Sequence, residues 1–204
     1  MTSEIAIGSR VRKSPFYEAT ISHGVKQFSI YNHMYMPGSF GDPDEEYRAL
    51  VERVSLWDVA AERQVEVVGP DASALCQYVS ARDLRGMKTG RVRYAPMCDY
   101  DGILINDPMV LKLAEDRFWY AQADGDFYSW ARAHAVGMDV EIVDPNVFVS
   151  QIQGPNALKI LEAAAGGLPE KFTYFAVARV NFGGQEVVIS RTGYTNELGF
   201  EFYI

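Results

Sequence analysis

Cysteine is scarce: Cys76 and Cys98 are the only two in 204 residues. That is too few for a disulfide framework and points to a reducing, cytoplasmic compartment. No apolar run reaches the roughly 18 residues of a membrane-spanning helix, so no membrane is expected as a partner. The opening stretch, MTSEIAIGSRVRKSPF, lacks the apolar h-region of a signal peptide. Basic blocks are missing too. The formal net charge is -8 and no Lys/Arg cluster stands out, which argues against nucleic acid. The three histidines, His23, His33 and His134, are scattered, and no Cys/His spacing reads as a metal site. Dinucleotide fingerprint, phosphate loop, nucleophile elbow and zinc motif are all absent. What remains is an ordinary globular composition, 48% hydrophobic and 23% charged.

The apolar pattern is mostly that of short strands. FSIYNHMYMPGSF (28–40) starts as a strand and ends in a Pro-Gly turn. DPDEEYRALVERVSLWDV (42–59) reads as a helix, with Asp42 or Asp44 as its cap and acidic residues in its first turn. RQVEVVGPDASALCQYV (63–79) reads as strand, Gly-Pro corner and helix, with Pro70 in the first helical turn. FVSQIQGPNALKILEAA (148–164) repeats that unit about 85 residues later, with Pro155 in the same role. Residues 91–123 hold three apolar runs broken at Asp101-Gly102 and Glu115-Asp116, and 126–136 reads as a helix. Residues 172–204 are strands around a Gly-Gly turn at 183–184. The fold class implied is α+β with antiparallel sheets. The chain stops at GFEFYI, a strand in progress, which suggests part of a longer protein.

Three features could carry chemistry. Asp107 lies in the apolar stretch ILINDPMVLKL, where a carboxylate must find a partner. Pro108 marks a bulge or edge at which side chains are re-aimed; Asn106-Asp107-Pro108 reads equally as a plain turn. Aromatics make up 13% of the chain. Tyr31, Tyr35, Trp57, Tyr94, Trp119, Tyr120 and Tyr194 could cage a sulfonium or ammonium centre, at about 0.5–2 kcal/mol per contact, or stack on a pterin; for any one of them, ordinary core packing is the commoner fate. In SRTGYTNELGFE (190–201), alternation puts Glu201 on the face of Tyr203, opposite Phe200 and Phe202. Glu201 could accept hydrogen bonds from an aminopyrimidine edge or simply face solvent in a hairpin.

Together, SLWDVAAERQVEVVGPDA (55–72), GILINDPMVLKL (102–113), QIQGPNA (151–157) and SRTGYTNELGFE (190–201) resemble the aminomethyltransferase family, that of the glycine-cleavage T-protein. The first half is most similar to the family's dimethylsulfoniopropionate demethylase branch, through YNHMYMP (31–37), WDVAAERQVEV (57–67), ARDLRGM (81–87) and NDPMVLKLAEDRFW (106–119). T-proteins tend to carry Asp-Asp where Asn106-Asp107 stands. TGYTNELGFE points the other way, since the demethylases tend to have Trp in place of Tyr194.

The resemblance implies a folate-binding fold of three domains around a central channel. Residues 1–58 plus 147–204 would form a discontinuous folate-binding domain and 59–146 a second, ferredoxin-like one. The third, barrel-like domain is missing from this chain. Residue by residue, Asp107 matches the aspartate beside the reactive folate nitrogens, a catalytic position. Tyr94, Asp107, Tyr194 and Glu201 match folate-contacting positions. The family's asparagine near 120–122 has no clear counterpart. The YNHMYMP segment makes Tyr31 the candidate for holding a small cationic donor. The activity implied is methyl transfer from a small-molecule donor such as dimethylsulfoniopropionate to N5 of tetrahydrofolate. The alternatives are aminomethyl transfer in glycine cleavage, with a lipoyl carrier protein as partner, and a non-catalytic folate-binding protein on the same scaffold.

Overall fold

The computed structural model describes residues 8, 10–165 and 167–204. A short helix, α1 (Tyr17–Ser22), precedes the hairpin β1 (Gln27–Tyr31) and β2 (Met34–Ser39). Helix α2 (Pro43–Glu52), strand β3 (Ser55–Asp58), strand β4 (Gln64–Val68) and helix α3 (Ala72–Val79) follow. Next come β5 (Arg91–Tyr94), β6 (Met97–Cys98), β7 (Leu104–Asn106), β8 (Met109–Ala114), β9 (Arg117–Ala121), α4 (Phe127–His134) and β10 (Glu141–Val143). The last elements are β11 (Val149–Gln153), α5 (Ala157–Ala164), β12 (Val177–Phe182), β13 (Gln185–Ser190) and β14 (Gly199–Tyr203).

Two antiparallel five-stranded sheets dominate, ordered β10-β4-β9-β8-β5 and β12-β13-β14-β11-β3. The α+β class expected from the pattern is the one observed. Helices α3 and α4 cover one face of the first sheet, where Leu75, Phe118, Tyr120 and Phe127 are fully enclosed. Its other face meets the second sheet: Val92, Leu111 and Trp119 pack with Val149, Val188 and Tyr203. Helix α5 closes a third core containing Ile152, Leu161, Ile189, Phe200 and Phe202.

The two Gly-Pro corners are built alike. Gly69 has φ 134 and Gly154 φ 124. Each glycine carbonyl accepts from the N–H three residues on, at 3.0 Å from Ala72 and 3.0 Å from Ala157. Each proline therefore sits at the second position of a turn, ahead of the helix cap, and not in the first helical turn as read from the sequence. Asp71 and Asn156 are the caps. A Cβ on Gly69 would lie 2.6 Å from the Asp139 carbonyl oxygen, and one on Gly154 2.6 Å from that of Leu50.

Two further sequence readings change. The helix expected over 42–59 ends at Glu52, with Asp42 capping it by accepting from the Asp44 N–H at 2.9 Å. Ser55–Asp58 is instead an edge strand that pairs Trp57 with Gln151 and Leu56 with Ile152. The first hairpin turns at Asn32–His33, both at positive φ (46 and 58), with Tyr31 paired to Met34. Pro37 lies inside β2 opposite Phe28. Two consecutive left-handed residues suit the right-handed strand twist, and asparagine tolerates that conformation best after glycine.

Gly154→Ala should destabilise the chain by more than the ~1–2 kcal/mol that left-handed alanine costs by itself, because backbone lies where the methyl must go. Gly137→Ala is the control: φ is 82 and nothing stands within 4 Å. Urea unfolding of both variants decides it; equal losses would mean the corner relaxes freely.

Candidate functional site

Asp107 follows β7 directly, and Tyr94 ends β5 opposite Met109 at the start of β8. The Tyr94 hydroxyl donates to Asp107 Oδ2 at 3.0 Å. Asp107 is half-buried and Tyr94 is 40% exposed, so this bond sits at the surface and not in an apolar interior. The bond raises the Tyr94 hydroxyl pKa, and desolvation and the charges of Asp107 and Tyr194 add to it. Tyr194 thus lies within electrostatic reach of Tyr94, with a side chain that is 96% exposed.

Glu201 lies on β14 and is only 6% exposed. Its Oε2 accepts from Thr192 Oγ1 at 2.6 Å, Tyr203 Oη at 3.0 Å and Ser190 Oγ at 3.3 Å. Glu201 therefore shares a face with Tyr203, while Phe200 and Phe202 enter the core under α5, as alternation requires. Burial pushes the Glu201 carboxyl above its usual range, and the hydroxyl bonds, Thr192 first, pull it back. All three bonds fall on Oε2; Oε1 receives none among the described residues.

The loop before β14 is held from beneath. Gln153 donates to the Thr192 carbonyl at 3.3 Å and to Gln151 Oε1 at 2.9 Å, and accepts from Thr195 Oγ1 at 2.9 Å. Its amide crosses Gly193 and Gly199 so closely that a Cβ on either would fall on it. These glycines are required by that approach.

Sequence reasoning missed Glu62, in the loop between β3 and β4. Burial, with the Glu201 carboxylate adding to it, pushes Glu62 up to about 8. Tyr31 belongs to the same neighbourhood. Its body packs beside Met34, Ala60 and Ala61. Burial raises its hydroxyl pKa, the Asp124 backbone lowers it, and the charges of Glu62, Asp124 and Asp107 raise it further. Glu62, Asp124 and Asp107 thus each lie within electrostatic reach of Tyr31, Glu201 lies within reach of Glu62, and Asp107 and Tyr194 lie within reach of Tyr94.

The remaining aromatic candidates go elsewhere. Tyr35 packs on Tyr17 and Phe28, with ring centroids 5.8 Å from each. Trp119 donates to Glu66 at 2.7 Å in the inter-sheet core. Trp57 lies on the edge strand, and Tyr120 is enclosed beneath α3 and α4.

With this geometry established, comparison with known proteins fixes the family. The family model described as the GCVT N-terminal domain matches residues 16–204, and the chain belongs to that family. The chain is 39% identical over 197 residues to dimethylsulfoniopropionate demethylase DmdA of Ruegeria pomeroyi, covering 96% of this chain and 54% of that protein. It is 33% identical over 205 residues to an aminomethyltransferase of Symbiobacterium thermophilum, covering 95% and 54%. Among solved structures it is similar to glycine cleavage system aminomethyltransferase T from Bartonella henselae. The TM-score is 0.83 at 24% identity, over 95% of this chain and 54% of that one, a likeness of fold. The chain spans about half the length of each of these relatives.

The Glu62 carboxyl gives a stability signature. The folded chain holds the proton up to about 8, whereas an unfolded glutamate releases it near 4.5. The folded state binds more protons across that window, so stability falls as pH rises through it and levels off above. Melting temperature should therefore decline between about pH 5 and 8, and Glu62→Gln should flatten the decline and raise Tm at the alkaline end. A Glu62→Gln curve parallel to the wild-type curve would show that Glu62 ionises freely.

Proposed function

We propose that this protein is a tetrahydrofolate-dependent one-carbon transferase that moves a methyl group from a small cationic donor, such as dimethylsulfoniopropionate, to N5 of tetrahydrofolate. The observation that carries this reading is the Tyr94–Asp107 hydrogen bond, with Tyr31 in electrostatic reach of both Asp107 and Glu62. None of Glu62, Asp107, Asp124 and Glu201 forms an ion pair with Lys or Arg among the described residues. Asp107 and Asp124, within reach of the Tyr31 ring and without a Lys or Arg of their own among the described residues, suit a desolvated cation.

The residues present fit a reduced pterin. The open Tyr194 ring offers a stacking face. Glu201 Oε1 is free to accept from N–H groups on a flat edge, with its other oxygen fixed by three hydroxyls. Tetrahydrofolate supplies the nucleophilic nitrogen. A sulfonium group already leaves as a neutral sulfide, so the chain's contribution is alignment: Tyr31 and Glu62 orient the donor, Tyr94 fixes Asp107, and Asp107 takes up charge or a proton at the acceptor. We assign residues 1–58 with 147–204 to a folate-binding domain and 59–146 to a ferredoxin-like one. The paired sheets support this division, as β3 joins the C-terminal strands. A cytoplasmic location accords with Cys76 and Cys98 being unpaired.

Aminomethyl transfer from a lipoyl carrier protein is the second reading. It is favoured by Tyr194, which matches the T-protein pattern, and by the similarity to the Symbiobacterium protein. The non-catalytic reading leaves the Tyr94–Asp107 pair without a use.

Full-length protein should bind tetrahydrofolate and form 5-methyltetrahydrofolate from dimethylsulfoniopropionate. Turnover with an aminomethylated lipoyl carrier alone would reverse the two enzyme readings, and absence of folate binding by calorimetry at millimolar ligand would remove both.

Two variants separate the roles. Asp107→Asn should lower kcat far more than folate affinity. Tyr31→Ala should raise the donor KM about fivefold, the equivalent of ~1 kcal/mol of cation–π contact. An unchanged donor KM would leave Tyr31 as packing.

A further inference from the structure

The turn of the β1–β2 hairpin is a buried polar clip. Asn32 is 4% exposed and has φ 46. Its main-chain N–H donates to Asp124 Oδ1 at 2.9 Å. Its side-chain amide donates to the Ala61 carbonyl at 3.0 Å and the Ala123 carbonyl at 3.2 Å. Its Oδ1 accepts from the Gly125 N–H at 3.1 Å. Asn106, 2% exposed, grips the same residue from the other side: it accepts from the Ala123 N–H and donates to the Ala123 carbonyl, both at 3.0 Å. Gly125 lets the loop close behind them, since a Cβ there would lie 3.2 Å from Asn106 Nδ2 and 3.3 Å from the Ile105 carbonyl.

Every residue held in this clamp is a chain neighbour of a group already placed in the site. Tyr31 precedes Asn32, Glu62 follows Ala61, Asp107 follows Asn106 and Asp124 follows Ala123. Four segments that are far apart in sequence are therefore registered at one buried point, by hydrogen bonds with defined lengths and directions. Asn32 donates twice from its side-chain amide, and Asn106 holds both the N–H and the carbonyl of Ala123. It leaves little freedom to the residues beside it.

We propose that Asn32 is a positioning residue for the one-carbon transfer. Together with Asn106, it sets Tyr31 on the donor side against Asp107 on the acceptor side. This rests on the function proposed above. A direct displacement needs donor carbon, leaving atom and accepting nitrogen in line, and a misplacement of about 1 Å costs on the order of 100-fold in rate. Asn32 touches none of the reacting atoms and acts through the loops it joins.

The test uses full-length protein with dimethylsulfoniopropionate and tetrahydrofolate. Asn32→Gly is the variant of choice, because glycine adopts φ 46 without steric cost and keeps the main-chain bond to Asp124. At a temperature where circular dichroism shows the variant folded, kcat should fall by about 10- to 100-fold. The tetrahydrofolate KM should stay within about twofold, and the Asn32→Gly and Asp107→Asn losses should combine to less than their product, as expected of groups acting as one unit. Should Asn32→Gly fail to fold, Asn106→Ala opens the other half of the clamp and decides the matter by the same measurements. A lowered Tm with wild-type kcat, or losses that multiply, would overturn the inference while leaving the function intact. A wild-type protein inert toward this donor and toward the aminomethylated carrier would overturn the function and the inference with it.

Discussion

Uncompensated negative charge is the constraint around which this site is arranged. A carboxylate withdrawn from water must be stabilised by a cation or by hydrogen-bond donors, or it keeps its proton. Here no Lys or Arg reaches Glu62, Asp107 or Glu201 among the described residues. The chain supplies neutral donors instead: Tyr94 for Asp107, and Ser190, Thr192 and Tyr203 for Glu201. Glu62 has none among the described residues, and burial drives it up to about 8. Neutral donors hold geometry without cancelling charge, so the region stays attractive to a cation and keeps a protonated carboxyl at neutral pH. A salt-bridged site would have neither property.

That arrangement needs close backbone approaches, and the sheets provide them. The inter-sheet core of Leu111, Trp119, Val188 and Tyr203 fixes β8 and β9 against β13 and β14. Tyr203 reaches from this apolar seam to Glu201, so one side chain serves both the packing and the polar network. Gln153 lies flat across Gly193 and Gly199 and ties the 190–199 loop to β11. The support of Glu201 is therefore continuous with the β-sheet and is as rigid as the sheet allows. The support of Tyr31 and Asp107 is different in kind: it rests on loops joined by asparagine side chains.

The sequence made local features legible and hid those that depend on contacts between distant segments. The antiparallel sheets, the repeated Gly-Pro corner, the Gly183–Gly184 turn and the shared face of Glu201 and Tyr203 all follow from short-range rules, and all are observed. The Asn32–His33 turn was hidden by the stronger Pro-Gly signal five residues on; the αL tolerance of asparagine was the available clue. The helix over 42–59 was overextended because Ser-Leu-Trp-Asp has no helix breaker before it. Its strand state comes from pairing with residues 150–153, which no local rule reveals. Glu62 looked like an ordinary polar residue before a strand. Its perturbation arises from burial, with Glu201, a partner on β14, adding to it. Tyr35 and Tyr31 were indistinguishable by type, and only the fold separates the one stacked on Tyr17 and Phe28 from the one among the carboxylates.

The two kinds of support bear on how one scaffold serves different donors. The segments in which the chain resembles the demethylase branch, 31–37 and 57–67, contribute Tyr31, Asn32 and Glu62, which form the loop-borne side of the site. The segment that resembles the T-protein form, 190–201, contributes Tyr194 and Glu201, on and beside β14. In the function proposed, the sheet-borne side, together with Asp107, faces the pterin, which is common to all donors, and Tyr31 and Glu62 face the donor, which differs. Loops tolerate substitution where strands do not, because a strand residue is fixed by register on both neighbours while a loop residue answers only to its own hydrogen bonds. Exchanging the residues around the Asn32 clamp can therefore change the charge and shape presented to the donor while leaving in place the hydroxyl bonds that fix Glu201. The mixed resemblance of the chain is then no contradiction: its two halves report on two surfaces that the fold allows to vary independently.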